Sequence, residues 1–209
     1  MLYLLAFAFA ISLIYLSVAE RFRNYSRLIG LQGFLVFGIS MVLIKELNWL
    51  SVTLISIETL VFKAIAVPYF LFRIINKLKI YKVHERALPA FYILMLTIAG
   101  LILSIITADT LAGDNVNIVL LTVSFFCMYV GILIIITHKL IFSHMIGFLI
   151  IENAVFLFSI AIGSEMPMLI NIGILLDIFV SVLIITVLIN RIGSQFTDLG
   201  AENLSKLKH

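Results

Sequence analysis

The chain has very little charge. Asp, Glu, Lys and Arg make up 12% of its 209 residues, against 63% hydrophobic residues. So little polar chain leaves no room for a separate soluble catalytic domain. Cysteine is almost missing: Cys127 is the only one, inside an apolar run. That excludes a disulfide framework and a cysteine-based metal site, and leaves helix packing as its expected role. No glycine-rich nucleotide loop, metal-ligand cluster or nucleophile–base arrangement occurs, so no catalysis is expected from this chain alone.

What is present is hydrocarbon in long runs. The mean hydropathy is +1.23, more apolar surface than a water-soluble domain of this length could hide. The breaks "ERFRNYSR", "KELNW", "NKLKIYKVHER", "ADTLAGDN", "THKLIFSH" and "GSEMP" leave apolar stretches at 2–19, 27–44, 50–75, 88–108, 117–137, 144–163 and 167–190. A helical span needs about 20 mostly apolar residues. The prediction is an all-α integral membrane protein with seven transmembrane helices. In the third, Pro68 cannot supply an N–H to the carbonyl of Ala64, which predicts a kink.

Basic residues set the orientation. Of the 14 Lys and Arg, all but Lys45 and Lys63 fall on one side: Arg21, Arg23, Arg27, Arg73, Lys77, Lys79, Lys82, Arg86, Lys139, Arg191, Lys206 and Lys208. The positive-inside rule then puts the N-terminus outside and the C-terminus in the cytoplasm. The same rule explains a pI near 9.0 without any nucleic acid. The opening "MLYLLAFAFAISLIYLSVAER" carries its arginines after the apolar run, the reverse of a secretory signal, so it reads as a first span. The tail "RIGSQFTDLGAENLSKLKH" leaves the membrane, either frayed or docked on a cytoplasmic partner.

Four ionisable residues fall inside the spans: Glu58, Lys63, Glu152 and Asp177. Each costs roughly 3 kcal/mol at a bilayer centre, and such groups face the protein interior or a wet cavity. At a rise of 1.5 Å per residue, they lie about 12, 20, 16 and 14 Å from the outer surface, one slab around the midplane. Glu152 and Asp177 stand at matching height on helices joined by the short turn at Glu165, and Gly173, Asp177 and Ser181 share one face. Burial penalises the charged form of a carboxylate, and a proton relay needs groups that exist in both states. Glu58 and Lys63, five residues apart, fall on different faces of an α-helix, so each is expected to meet a partner on another helix. A desolvated lysine can then gate a proton step electrostatically.

His138, His144, Tyr129, Gln32, Asn153 and Asn171 are possible polar extensions, with ordinary loop or packing roles as the alternative. The methionines and phenylalanines read as packing. "IETLVF" at 57–62 and "IENAVF" at 151–156 echo one another, a match that chance favours in so apolar a chain.

The stretch "IGFLIIENAVFLFSIAIG", a short outer loop, then "INIGILLDIFVSVLIITVLI" resembles the K-type subunit of respiratory complex I. It is equally similar to the C subunit of multi-subunit cation/proton antiporters. Glu152 and Asp177 fall where that family carries membrane acids, although Asp177 replaces the usual Glu of complex I. The whole chain, with "YSRLIGLQG", "ETLVFKAIAVP" and "FTDLGAENLSKLK", resembles the hydrogenase-4 component E family.

The resemblance implies a four-helix membrane region at 1–110, a three-helix region at 111–192 and a cytoplasmic tail at 193–209. It implies a non-redox subunit in the membrane arm of a nickel–iron hydrogenase or formate hydrogenlyase-like oxidoreductase complex in the cytoplasmic (inner) membrane. Its partners would be antiporter-like membrane subunits and a cytoplasmic hydrogenase/iron–sulfur module. Nickel–iron and iron–sulfur centres would belong to those partners, with no cofactor or metal in this chain. Its share would be part of a proton path through Glu152 and Asp177, with Glu58 and Lys63 as additions. The alternatives are a component of a cation/proton antiporter and a structural scaffold.

Overall fold

Backbone groups in hydrocarbon have no water to bind, so an apolar segment there closes its hydrogen bonds internally, as a helix. The computed structural model describes residues 1–43, 53, 56–78, 88–113 and 116–162, all within the compact unit Met1–Ile174. Among the described residues every regular element is helical. α1 is Leu2–Val18 and α2 is Phe22–Leu43. A third segment begins as a π-helix, Ile57–Ala66, and continues as α3, Val67–Leu78. α4 is Ala90–Leu111, α5 is Ile118–Thr137 and α6 is Ile141–Ile162.

Four of these, Phe22–Leu43, Ala90–Leu111, Ile118–Thr137 and Phe142–Ile162, are long and apolar enough to cross a membrane. A helix of about 22 residues reaches about 33 Å, against a hydrocarbon core of about 30 Å. α1 is apolar but shorter. The predicted seventh span at 167–190, with Asn171 and Asp177, and the tail at 193–209 lie outside the described residues.

Two boundaries move from their predicted places. α2 starts at Phe22 rather than 27, because the charges of "ERFRNYSR" occupy one side of a helical turn. Arg23 and Arg27 are exposed while Phe22, Tyr25 and Ser26 are buried. The third segment is helical to Leu78, and at Pro68 it does more than kink: the backbone passes from π to α at Ala66–Val67. Pro68 has no N–H to give, so the regular bonding ladder has to change there.

The bundle is apolar outside as well as in its core, and its hydroxyls and charges are gathered inside. α4 buries Ile93, Thr97, Gly100, Ser104 and Ala108, and exposes Phe91, Met95, Ile98, Ile102, Ile105 and Ile106. Water would impose the opposite arrangement. The buried hydroxyls bond to their own helix, as Thr97 does to the Ile93 carbonyl at 2.8 Å and Ser104 to that of Gly100 at 2.7 Å, which removes the cost of an unpaired polar group. A surface of this kind belongs against lipid, and the chain is a membrane protein.

Two antiparallel pairs position the site. In the first, Arg23 bonds Asn76, Ser26 bonds the Pro68 carbonyl, and Gly33 abuts the Lys63–Ala64 backbone. A Cβ at Gly33 would lie 2.7–2.9 Å from that backbone, so only glycine permits the approach. In the second pair, the Asn117 N–H donates to the Ala161 carbonyl at one end. Cys127 Sγ donates to the Ile150 carbonyl midway, and Gly131 meets Gly147 further on. These three contacts keep a constant register along α5 and α6.

Candidate functional site

The π-helical segment carries Lys63 into the bundle. A π-helix bonds i to i+5, is rare, and occurs mostly as single turns, often at functional sites; here it runs for ten residues. Positions 58 and 63 are therefore one turn apart on this backbone. That corrects the expectation of different faces, which assumed an α-helical period. The Glu58 side chain lies outside the described residues.

Lys63 Nζ lies 4.0 Å from Glu152 Oε1 on α6, and both side chains are buried, 7% and 4% exposed. The expected partner on another helix is thus Glu152. At 4.0 Å the attraction is that of an ion pair rather than a direct hydrogen bond, which needs about 3 Å. Proton exchange between them therefore requires a closer approach or a bridging water. The same ammonium stands 4.8 Å from the centroid of the Phe156 ring, close enough for a cation–π contact. Phe156 is four residues after Glu152, so one face of α6 offers Lys63 a carboxylate and a π cloud together.

Phe156 was legible only as packing, although its spacing from Glu152 is the signal that could have found it. The echo between 57–62 and 151–156 does not extend to the backbone, since the first segment is π-helical and the second α-helical.

The other predicted polar residues divide into those near the pair and those away from it. Asn153 is buried beside Glu152 on α6, and Ser159 is buried two turns beyond it on nearly the same face. The Ser159 hydroxyl and the Gln32 Oε1 have no hydrogen-bond partner among the described residues. Gln32 does join α2 to α1, through Nε2 to Ser12 Oγ at 3.2 Å. Tyr129 lies elsewhere, against Gly100 of α4; it is two residues, or about 200° of helix, from Cys127, which faces α6.

His138 and His144 form a cluster of their own. His138 ends α5 and is 2% exposed. Its Nδ1 is 3.1 Å from the Ile134 carbonyl, its Nε2 is 3.4 Å from the Tyr25 hydroxyl, and His144 Nε2 reaches its carbonyl at 2.7 Å. The Thr137 hydroxyl also lies 3.0 Å from Nδ1, and which ring nitrogen donates follows the tautomer. Sequence reasoning missed Tyr25, which no pattern links to residue 138. His144 is eight residues before Glu152, about 12 Å along the helix. Met145 and Leu149, both buried, occupy Glu152's own face in that interval, so the face of α6 between the cluster and the pair is apolar.

Among the described residues no group of three or more His, Cys, Asp and Glu could hold a metal ion. Set against known proteins, the chain matches no family model, no curated protein and no solved structure.

Proposed function

We propose that this chain carries part of a transmembrane proton path, with Glu152 as the proton-carrying carboxylate and Lys63 as its electrostatic gate. One observation carries the reading: a lysine and a glutamate, both buried, face each other within an apolar-surfaced bundle. Removing two charges from water costs several kcal/mol each, and well-packed apolar residues hold helices together at least as well. A pair kept there despite that cost suits a group whose charge must change. A proton arriving on Glu152 cancels its attraction for Lys63, and departure of the proton restores it. The Phe156 ring offers the ammonium a second position while Glu152 is neutral.

The finer assignment rests on the sequence. Seven spans, an external N-terminus and a cytoplasmic C-terminus follow from the charge pattern. On the hydrogenase-4 component E resemblance, the chain would lie in the cytoplasmic membrane as a non-redox subunit beside antiporter-like subunits and a nickel–iron hydrogenase/iron–sulfur module. Asp177 and Glu58 would extend the path.

The experiment is proton uptake by vesicles containing the purified complex, with partners identified by mass spectrometry. Glu152→Gln alone leaves Lys63 facing a neutral group, so Lys63→Gln/Glu152→Gln is compared beside it. Both are expected to keep the partner subunits in the assembled form and to lose coupled proton uptake. An assembled double variant with wild-type coupling would make the pair structural and sink the proposal.

A further inference from the structure

We propose that the basic end of the α2–α3 pair is a binding site for an anionic phospholipid. Arg23 Nη2 donates to Asn76 Oδ1 at 3.0 Å, which ties the first turn of α2 to the last turn of α3. Arg27 lies one turn further along α2, and Arg73 three residues back along α3. All three arginines are exposed. Among the described residues, neither Arg27 nor Arg73 is hydrogen-bonded or ion-paired.

A guanidinium presents a planar fork of donors that matches phosphate oxygens. Two of them on adjacent antiparallel helices can hold one phosphodiester between them. Below the arginines the surface turns apolar on both helices. Phe34, two turns from Arg27 on the same face of α2, is 51% exposed, and Tyr69, one turn from Arg73 on α3, is 61% exposed.

Cationic groups at one level, with an amphipathic ring and then an aromatic ring at greater depth, reproduce the order of phosphate, glycerol and acyl chain. An acidic protein segment would satisfy the arginines, but not a seam that continues into hydrocarbon. That order favours lipid over protein as the occupant.

Native mass spectrometry of the full chain, released from nanodiscs that contain equal phosphatidylglycerol and phosphatidylcholine, tests the site. Retained phosphatidylglycerol in clear excess over phosphatidylcholine is expected. Arg27→Gln/Arg73→Gln should lower that retention by roughly fivefold per arginine, about 25-fold for the pair. Lys139→Gln, which removes an exposed cation from the α5–α6 turn, is the control and should leave retention unchanged.

Equal retention of the two lipids would overturn the proposal, as would an equal loss in the Lys139 variant. So would a protein subunit crosslinked to Arg27 and Arg73 in the purified complex, with no lipid retained there.

Discussion

Lys63 and Glu152 stand 89 residues apart in the sequence, yet their charged atoms lie 4.0 Å apart and both are buried. Nothing in the spacing of the sequence joins them. The fold does so through α2, which packs against both the π-helical segment and α6.

The pair should show strong energetic coupling. Removing one partner leaves a buried charge uncompensated, which costs about 3–5 kcal/mol, whereas replacing both with apolar groups is often neutral. Lys63→Met and Glu152→Leu are each expected to destabilise the purified chain by about that much. The double variant should lose far less than the two combined. Unfolding in mixed detergent micelles with rising dodecyl sulfate measures all four corners of the cycle; additive losses would mean that the two residues act independently.

Gly33 should be intolerant of any side chain. An added Cβ meets Lys63 and Ala64 backbone at 2.7–2.9 Å, and backbone cannot rotate aside as a side-chain tip can. Gly33→Ala is expected to cost about 1–3 kcal/mol, the usual range for overpacking, and to weaken the Lys63–Glu152 coupling in the cycle above. Gly113 has nothing within 4 Å of an added Cβ, so Gly113→Ala serves as the neutral comparison in the same unfolding assay.

The parts of this molecule that were legible in the sequence are those governed by hydrocarbon. A run of apolar residues has one way to hide its backbone, so α1, α4, α5 and α6 fall close to their predicted ranges. The common level of Lys63 and Glu152 was legible as well, since counting along their spans puts the two at similar heights and their charged atoms meet. Two things were not. One is the π-helix over 57–66, since no local pattern in those residues distinguishes it from an α-helix. The pairing of Lys63 with Glu152 depends on the packing order of helices, which the near-uniform hydrophobicity of the spans conceals. Asp177, the partner expected for Glu152, lies outside the described residues.

Cys127 should be unreactive in the folded chain. Its side chain is fully buried, and the thiol donates to the Ile150 carbonyl at 3.1 Å. A membrane-permeant maleimide added to the native protein is expected to leave it unlabelled, and to label it fully after denaturation. Cys127→Ser keeps a donor for Ile150, whereas Cys127→Ala loses both the donor and volume, so alanine should cost more, by about 1–2 kcal/mol. Rapid labelling under native conditions would mean that α5 and α6 separate readily.

α4 gives the sharpest contrast between an interior made for water and one made for lipid. Its buried line runs through Gly100, where an added Cβ overlaps the Tyr129 ring, and its exposed line runs through Ile102. In a soluble protein, an exposed Ile tolerates a charge, with effects usually within about 0.5 kcal/mol. Here Ile102→Lys should impair membrane insertion by about 3 kcal/mol, the cost of a lysine near the centre of a span, while Ile102→Leu should be silent. Gly100→Ala should insert normally and then unfold more easily, by about 1–3 kcal/mol. A glycosylation-based insertion assay separates the first effect from the second, which only unfolding of the purified chain reveals. Normal insertion of the Ile102→Lys chain would mean that another protein or a wet cavity, not lipid, covers this face.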